Sequence, residues 1–287
     1  MKILELRKLY HSRLCEKVIS INEANGKKYP NFCDKDSKAS VNIGFKILDF
    51  IGAPVINERQ SEQTVGNLFE EITKDFIEDC FVKFAHLRPG EWVYSTNHTE
   101  ISRFEQYEHL AHIDEIIKGD KELSTALGRD YIVKPDIIVA RYPVPDSKFN
   151  ELESIIESGD MVSRLTPLRS DNFPTLGKKI LHASISCKWT IRSDRSQNTR
   201  TEALNLIRNR KGNLPHVVAV TAEPLPTRIA AHALGTGDLD CVYHFALDEL
   251  QKSVQATNNE DQKDILDIMV NGKRLRDISD LPFDLAI

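Results

Sequence analysis

Pro135-Asp136 opens an apolar run, Ile137-Ile138-Val139-Ala140, and about fifty residues later Lys188 sits near the end of another, Leu181 to Trp189. In the second run alternation sends Ala183, Ile185 and Cys187 one way and Ser184, Ser186 and Lys188 the other. A lysine in an apolar strand is costly to desolvate unless an anion meets it. The plainer reading is a strand-end lysine that snorkels to water. Asp136 has a plain reading too, as a strand-start cap behind a proline that cannot donate to a ladder. Taken as a pair, the two have chemical sense: a carboxylate can hold a hard divalent cation while a lysine orients a water and offsets charge on a phosphate.

A single ligand rarely suffices, so a further acid must approach. Glu202 lies fourteen residues after Lys188 on the following helix, early enough to face the strand ends. As an alternative it is an exposed glutamate favoured by the helix dipole. In the pair Glu70-Glu71, residue 70 shares a helix face with Thr73, Ile77 and Phe81, whereas 71 shares one with Asn67, Lys74, Asp75 and Glu78. Glu70 is therefore expected inside and Glu71 in solvent.

After the lysine strand comes Arg192-Ser193-Asp194-Arg195-Ser196-Gln197-Asn198. From Lys188 to His216 seven Lys or Arg face two acids, a local +5 in a chain whose net charge is −5. Such a run commonly marks a solvated face, but next to a cation site it suits phosphate. Arginine pairs bidentately with guanine O6 and N7, and aspartate accepts from cytosine N4, so Arg-x-Asp-Arg suits adjacent G·C pairs in a major groove. An internal salt-bridge cluster is the alternative. Other signals are weak. His109-x-x-His112 lacks a third zinc ligand, Gly235-Thr-Gly-Asp238 lacks the Walker lysine and suits a turn, and neither a Gly-x-Ser-x-Gly elbow nor a His-Glu-x-x-His helix is present.

The elements that must position these residues differ between the two halves. Periodicity predicts helices over 3–19, around 43–51, from Thr64 to Ala85 and over 103–117. Strands are predicted over Tyr131 to Ala140, Ile180 to Ile191, His216 to Ala222 and Asp240 to Phe245, with a helix from about Gln197 to Lys211 and a short one after Pro226. The continuously apolar 216–222 run suits a strand buried on both faces. Strand, helix, strand order implies an α/β fold with a central mixed β-sheet flanked by helices. At 287 residues the chain fits a single domain, 1–287. Its irregular, proline-bearing 143–177 excursion is assigned to subunit contacts.

Composition excludes other classes. Hydrophobic residues at 40% and charged residues at 28% are ordinary globular usage, with no run near the roughly 20 apolar residues of a membrane helix. The charged N-terminus lacks a secretory stretch, so a cytoplasmic protein is expected. Five dispersed cysteines without a Cys-x-x-Cys pair indicate neither disulfides nor structural zinc.

Together, Pro135-Asp136, Ser186-Cys187-Lys188, Arg192-Ser193-Asp194-Arg195 and Glu202 resemble a type II restriction endonuclease of the PD-(D/E)xK superfamily, in the branch that cuts sites with a CCGG core. The resemblance covers most of the chain, and the 182–212 block is very specific. It implies Mg²⁺ as cofactor, with Asp136 as central ligand, the Cys187 carbonyl assisting, and Glu70 and Glu202 acting through water or a second metal. Lys188 would activate the attacking water. Ser186 stands where most of the superfamily has an acid, and this branch moves that acid to the next helix, where Glu202 lies. Arg192, Ser193, Asp194 and Arg195 belong to the segment that would read the inner G·C pairs. Gln63 and Arg228 match positions that address the outer pair, and Ser37 lies near another, although spacing departs from the family around 34–40. The resemblance further implies double-stranded DNA as partner, GCCGGC cut after the first G, and a homotetramer. Two other classes accommodate the acids and the lysine: a sequence-specific DNA-binding protein that no longer cuts, and a repair nuclease. Neither explains Arg-Ser-Asp-Arg as well.

Overall fold

The computed structural model describes residues 1–56, 60–119, 122, 125, 132–157, 159, 162–171, 178–191, 193–235 and 237–287, excluding the side chains of 193–197. The chain begins with α1 (Ile3–Lys17), whose Leu6, Tyr10 and Leu14 are buried. Arg7 leaves this helix to bond Glu249 and Asp277 at once, through contacts of 2.6 to 2.9 Å. A hairpin follows, β1 (Ile21–Ala24) with β2 (Lys27–Pro30). Its turn, Asn25-Gly26, takes φ of 51° and 71°, the left-handed pair that a two-residue hairpin loop demands.

Helix α2 (Lys38–Ile51) starts at Ser37, whose hydroxyl accepts from Ser40 N–H, and stops at Gly52 with φ 69°. Helix α3 (Glu62–Phe81) starts the same way at Ser61. These are the capping preferences of serine and glycine at opposite helix ends. Spacing predicts a stripe of Phe69, Ile72, Phe76, Cys80 and Phe84; α3 buries the first four, with Thr73, Ile77 and Phe81 beside them, and Phe84 is buried in the 3-10 turn, Val82–Phe84, that continues the helix.

The main sheet holds six strands in sequential order: β3 (Trp92–Ser95), β4 (Ile137–Arg141), β5 (Ile180–Lys188), β6 (His216–Thr221), β7 (Cys241–His244) and β8 (Leu275–Asp277). The first three run antiparallel and the rest are parallel from β5 onward. This is the mixed, helix-flanked sheet that the sequence predicts. β6 is buried at five of six positions, as its unbroken apolar run requires. Two expected strands are shorter than their apolar runs. Asp136 precedes β4, and β5 ends at Lys188, because the chain must leave the ladder to enter the next helix.

α4 (His109–Gly119) follows two 3-10 turns, Ile101–Arg103 and Glu105–Tyr107, where one helix is predicted over 103–117. The 143–177 excursion carries α5 (Asp146–Phe149), tied down by the Arg169–Asp146 pair at 2.6 Å. The helix after the lysine strand, α6 (Ser193–Asn209), begins four residues before its expected start. Serine and aspartate in the first turn favour that earlier start. α7 (Pro226–Ala233) has proline in its first turn. Then α8 (Leu247–Ala256), α9 (Glu260–Asn271) and the short α10 (Leu281–Asp284) complete the described fold.

Candidate active site

Strand pairing does the first part of the assembly. Ile137 pairs with Ile185 across β4 and β5, so Asp136, one residue earlier, stands beside Ser186 and the end of β5. There the β5 backbone has run past β4, and an unpaired strand N–H needs an acceptor. Asp136 provides it: its Oδ2 accepts from Cys187 N–H at 2.7 Å, from Lys188 Nζ at 3.1 Å and from Ser186 Oγ at 3.4 Å. In a strand the N–H and C=O of one residue project to the same side. The Cys187 carbonyl therefore faces the side on which Asp136 lies.

Both charged side chains are mostly covered, Lys188 at 24% and Asp136 at 20% exposure. Burial works against the Lys188 ammonium, yet Asp136 and then Glu202 outweigh it and hold its pKa above the ordinary value. The lysine stays charged. Glu70 shows the opposite response: burial, followed by repulsion from Asp136, pushes its carboxyl up to about 7 against the pull of Lys188. Glu202 is also raised, by burial and by Asp136, with Lys188 opposing. Three acids around one lysine repel one another, and an added cation would relieve them.

These groups stand in one cleft of about 1280 Å³. Glu70, Asp136, Cys187, Lys188 and Glu202 line it together, as do Gln63 and Arg228. Glu70 comes from α3, fixed where Phe69 stacks edge-on with Trp189 at 5.0 Å. Glu202 comes from α6. Glu71 is exposed and accepts from Thr96, the outward position expected of it. Ser186 lies behind Asp136 as a hydrogen-bond donor and is not a wall residue. Ser37 caps α2 and is not among the cleft residues, although Lys35 and Asp36 are. Arg192 and the side chains of Ser193, Asp194 and Arg195 lie outside the described residues. The first turn of α6 nonetheless carries the last three positions.

The donor set suits a hard divalent cation, being carboxylate and carbonyl oxygen rather than sulfur or imidazole. Among the described residues no three His, Cys, Asp or Glu are grouped closely enough to hold a metal alone. His109 and His112 belong to no such group either.

Sequence reading missed Asp34, whose carboxylate bonds Arg228, and Asn67, both in the cleft, and His98, which meets the cleft's Glu70 with Nε2 3.6 Å away. None belongs to a spaced motif. His98 comes from a loop that only the folded sheet brings to α3.

Phosphodiester hydrolysis is the chemistry that hard oxygen donors and a charged ammonium can serve together. The sequence profile of the NgoMIV restriction enzyme family matches residues 10–287. The chain is 47% identical over 285 residues to the type II restriction enzyme NgoMIV of Neisseria gonorrhoeae, covering 98% of this chain and 97% of that one. The chain belongs to the NgoMIV restriction enzyme family and is by class a type II restriction endonuclease. Among solved structures, the Type IIF restriction endonuclease Bse634I with cognate DNA is matched over 96% of this chain and 99% of its own, at 12% identity and a TM-score of 0.33. A second Bse634I structure is matched over 84% and 97%, at 11% and the same TM-score. Among the described residues no helix is long and apolar enough to cross a membrane.

Proposed function

We propose that the protein hydrolyses double-stranded DNA at a CCGG-core palindrome, GCCGGC, after the first G, leaving a CCGG overhang and using Mg²⁺. The observation that carries this reading is the Lys188–Asp136 contact of 3.1 Å at the end of β5, inside the cleft lined by Glu70 and Glu202. Asp136 and the Cys187 carbonyl would hold the cation, with Glu70 and Glu202 reaching it directly or through water. When bound, the ion supplies Lewis-acid polarisation of the phosphate and a water acidified for attack. Lys188 keeps its proton, orients the attacking water in line with the departing 3′ oxygen, and offsets the charge that gathers on the phosphate. Ser186 donates to Asp136 and steadies it. No side chain forms a covalent intermediate.

Arg192, Asp194 and Arg195, beside Ser193, would read the two inner G·C pairs of each half-site in the major groove, and Gln63, Arg228 and Ser37 the outer one. A homotetramer holding two duplexes is part of the proposal. Its contacts are assigned to the 143–177 excursion, where Leu152, Val162 and Leu165 stand exposed at 100%, 68% and 76%.

The test is digestion of a sequenced plasmid with Mg²⁺, then with EDTA, followed by mapping of the ends. Discrete cuts after the first G of GCCGGC are expected, abolished by chelation. Specific binding without cleavage would make the protein a DNA-binding relic. Smears or scattered nicks would make it a structure-selective nuclease.

A further inference from the structure

Glu223 is a buried carboxylate that the cutting chemistry does not use. Its residue is wholly inaccessible to solvent, and it lies in the turn that joins β6 to α7. Oε2 accepts from the Ile191 N–H at 3.0 Å and Oε1 from the Leu225 N–H at 3.2 Å. Arg228 Nη1 is 3.9 Å from Oε2, while the other end of that guanidinium bonds Asp34. The glutamate is held from its own main chain as well, since its N–H donates to Thr221 Oγ1 at 3.1 Å and its carbonyl meets His244 Nε2 at 3.2 Å.

The two N–H groups belong to segments with distinct tasks. Ile191 is the last described residue before Arg192 and α6, and Leu225 is the N-cap of α7, whose Arg228 lines the cleft. We propose that Glu223 is a positioning residue that fixes the reader of the inner base pairs against the reader of the outer pair, so that the six-base site is recognised as one unit. This rests on the reading of α6 and Arg228 given above. Only an acceptor at both oxygens can serve two N–H groups and an arginine together. A glutamine there offers one oxygen and turns an N–H₂ toward the other N–H. The required geometry is also sensitive to protons. Burial pushes Glu223 up to about 7, against the Ile191 N–H, Arg228 and the Leu225 N–H, with Asp34 adding to the rise. Two other titratable groups that face it, Cys33 and His244, keep their charge state in that range. Burial lifts the Cys33 thiol well above its ordinary value and lowers the His244 ring to about 4.

The experiment compares kcat/KM in Mg²⁺ on two duplexes, one carrying GCCGGC and one with only the outer pairs changed to A·T, for the parent and for Glu223→Gln. The expected result is a fall in the parent's discrimination by about tenfold or more in the variant, the scale set by loss of one good base contact, with GCCGGC still cut. In the parent, the same ratio should shrink as pH drops from about 8 to about 6, and this dependence should vanish in Glu223→Gln. Protonation of Glu70 affects both duplexes alike and cancels in the ratio. Equal loss on both duplexes, or unchanged discrimination with a pH-independent parent ratio, overturns the inference while leaving the nuclease reading intact. A parent that cuts CCGG regardless of its flanking pairs overturns the outer-pair reading and this inference with it. If Glu223→Gln fails to fold, the parent's pH series decides.

Discussion

Replacing Asp136 by alanine separates the chemistry from the fold most sharply. The substitution removes one carboxylate that accepts three hydrogen bonds, the shortest from Cys187 N–H at 2.7 Å. It also strips the Lys188 ammonium of its 3.1 Å partner. In a sealed interior that would cost several kcal/mol. Here both side chains are about one-fifth exposed to an open cleft, so water can reach the orphaned groups. Glu70 and Glu202, no longer repelled by Asp136, become better partners for the lysine. The net loss of stability should be about 1–2 kcal/mol, the low end for charge-assisted bonds. Cleavage has no such substitute, because the carboxylate opposite Lys188 is gone. A loss of at least about 10³-fold in single-turnover rate is expected, at or beyond the upper range for removing one electrostatic stabiliser. The assay pairs that rate in Mg²⁺ with binding to GCCGGC in Ca²⁺ and a thermal melt. Folded protein that binds the site yet does not cut it is the expected outcome. Folded protein that cuts near the parent rate would refute the assignment of Asp136.

Three further outcomes follow from other parts of the structure. Glu70 titrates near 7, so it is neutral and a poor ligand below that value and ionised above it; cleavage should rise from about pH 6 to 8 in the parent. Glu70→Gln should flatten that rise. The same raised value means that Glu70 contributes stability fully present below the ordinary carboxylate range and lost as pH rises through about 7, so the metal-free variant should show less decline in melting temperature over that interval. Arg7→Ala leaves Glu249 and Asp277, at 11% and 15% exposure, without their cation, and should cost about 3–5 kcal/mol in denaturant unfolding; a loss under 1 kcal/mol would show that the cluster is not a structural tie. Arg195→Ala should lose about 1–3 kcal/mol of discrimination at one inner G·C pair, read from binding to singly altered sites, whereas uniform weakening would mark a phosphate contact.

Much of this architecture is legible in the chain itself, and particular residues show why. The alternation of β5 and the unbroken run of β6 follow from side-chain period and burial, so both strands and their parallel pairing were readable. Glu70 and Glu71 sorted correctly because helix geometry gives adjacent residues different faces. The two-stranded hairpin was missed although Asn25-Gly26 announces it, since its strands are too short and too polar to show a period. β3 is another four-residue strand, visible only through its partner β4. Asp34 and His98 could not be found from spacing, because the contacts that bring them to Arg228 and Glu70 span loops. Glu223 belongs to no motif that spacing singles out. Its function as an acceptor for two backbone segments depends on the way β6 delivers it between them.

β4, which Asp136 immediately precedes, and β5, which ends in Lys188, are joined by backbone ladder, whereas Glu70, Glu202 and Arg228 arrive on separate helices. The Lys188–Asp136 pair is thus mounted on the hydrogen-bonded sheet, whereas Arg228, the proposed reader of the outer pair, is mounted on a helix that can be shifted or exchanged piecemeal. A lineage built this way can change what it recognises without relearning how to cut.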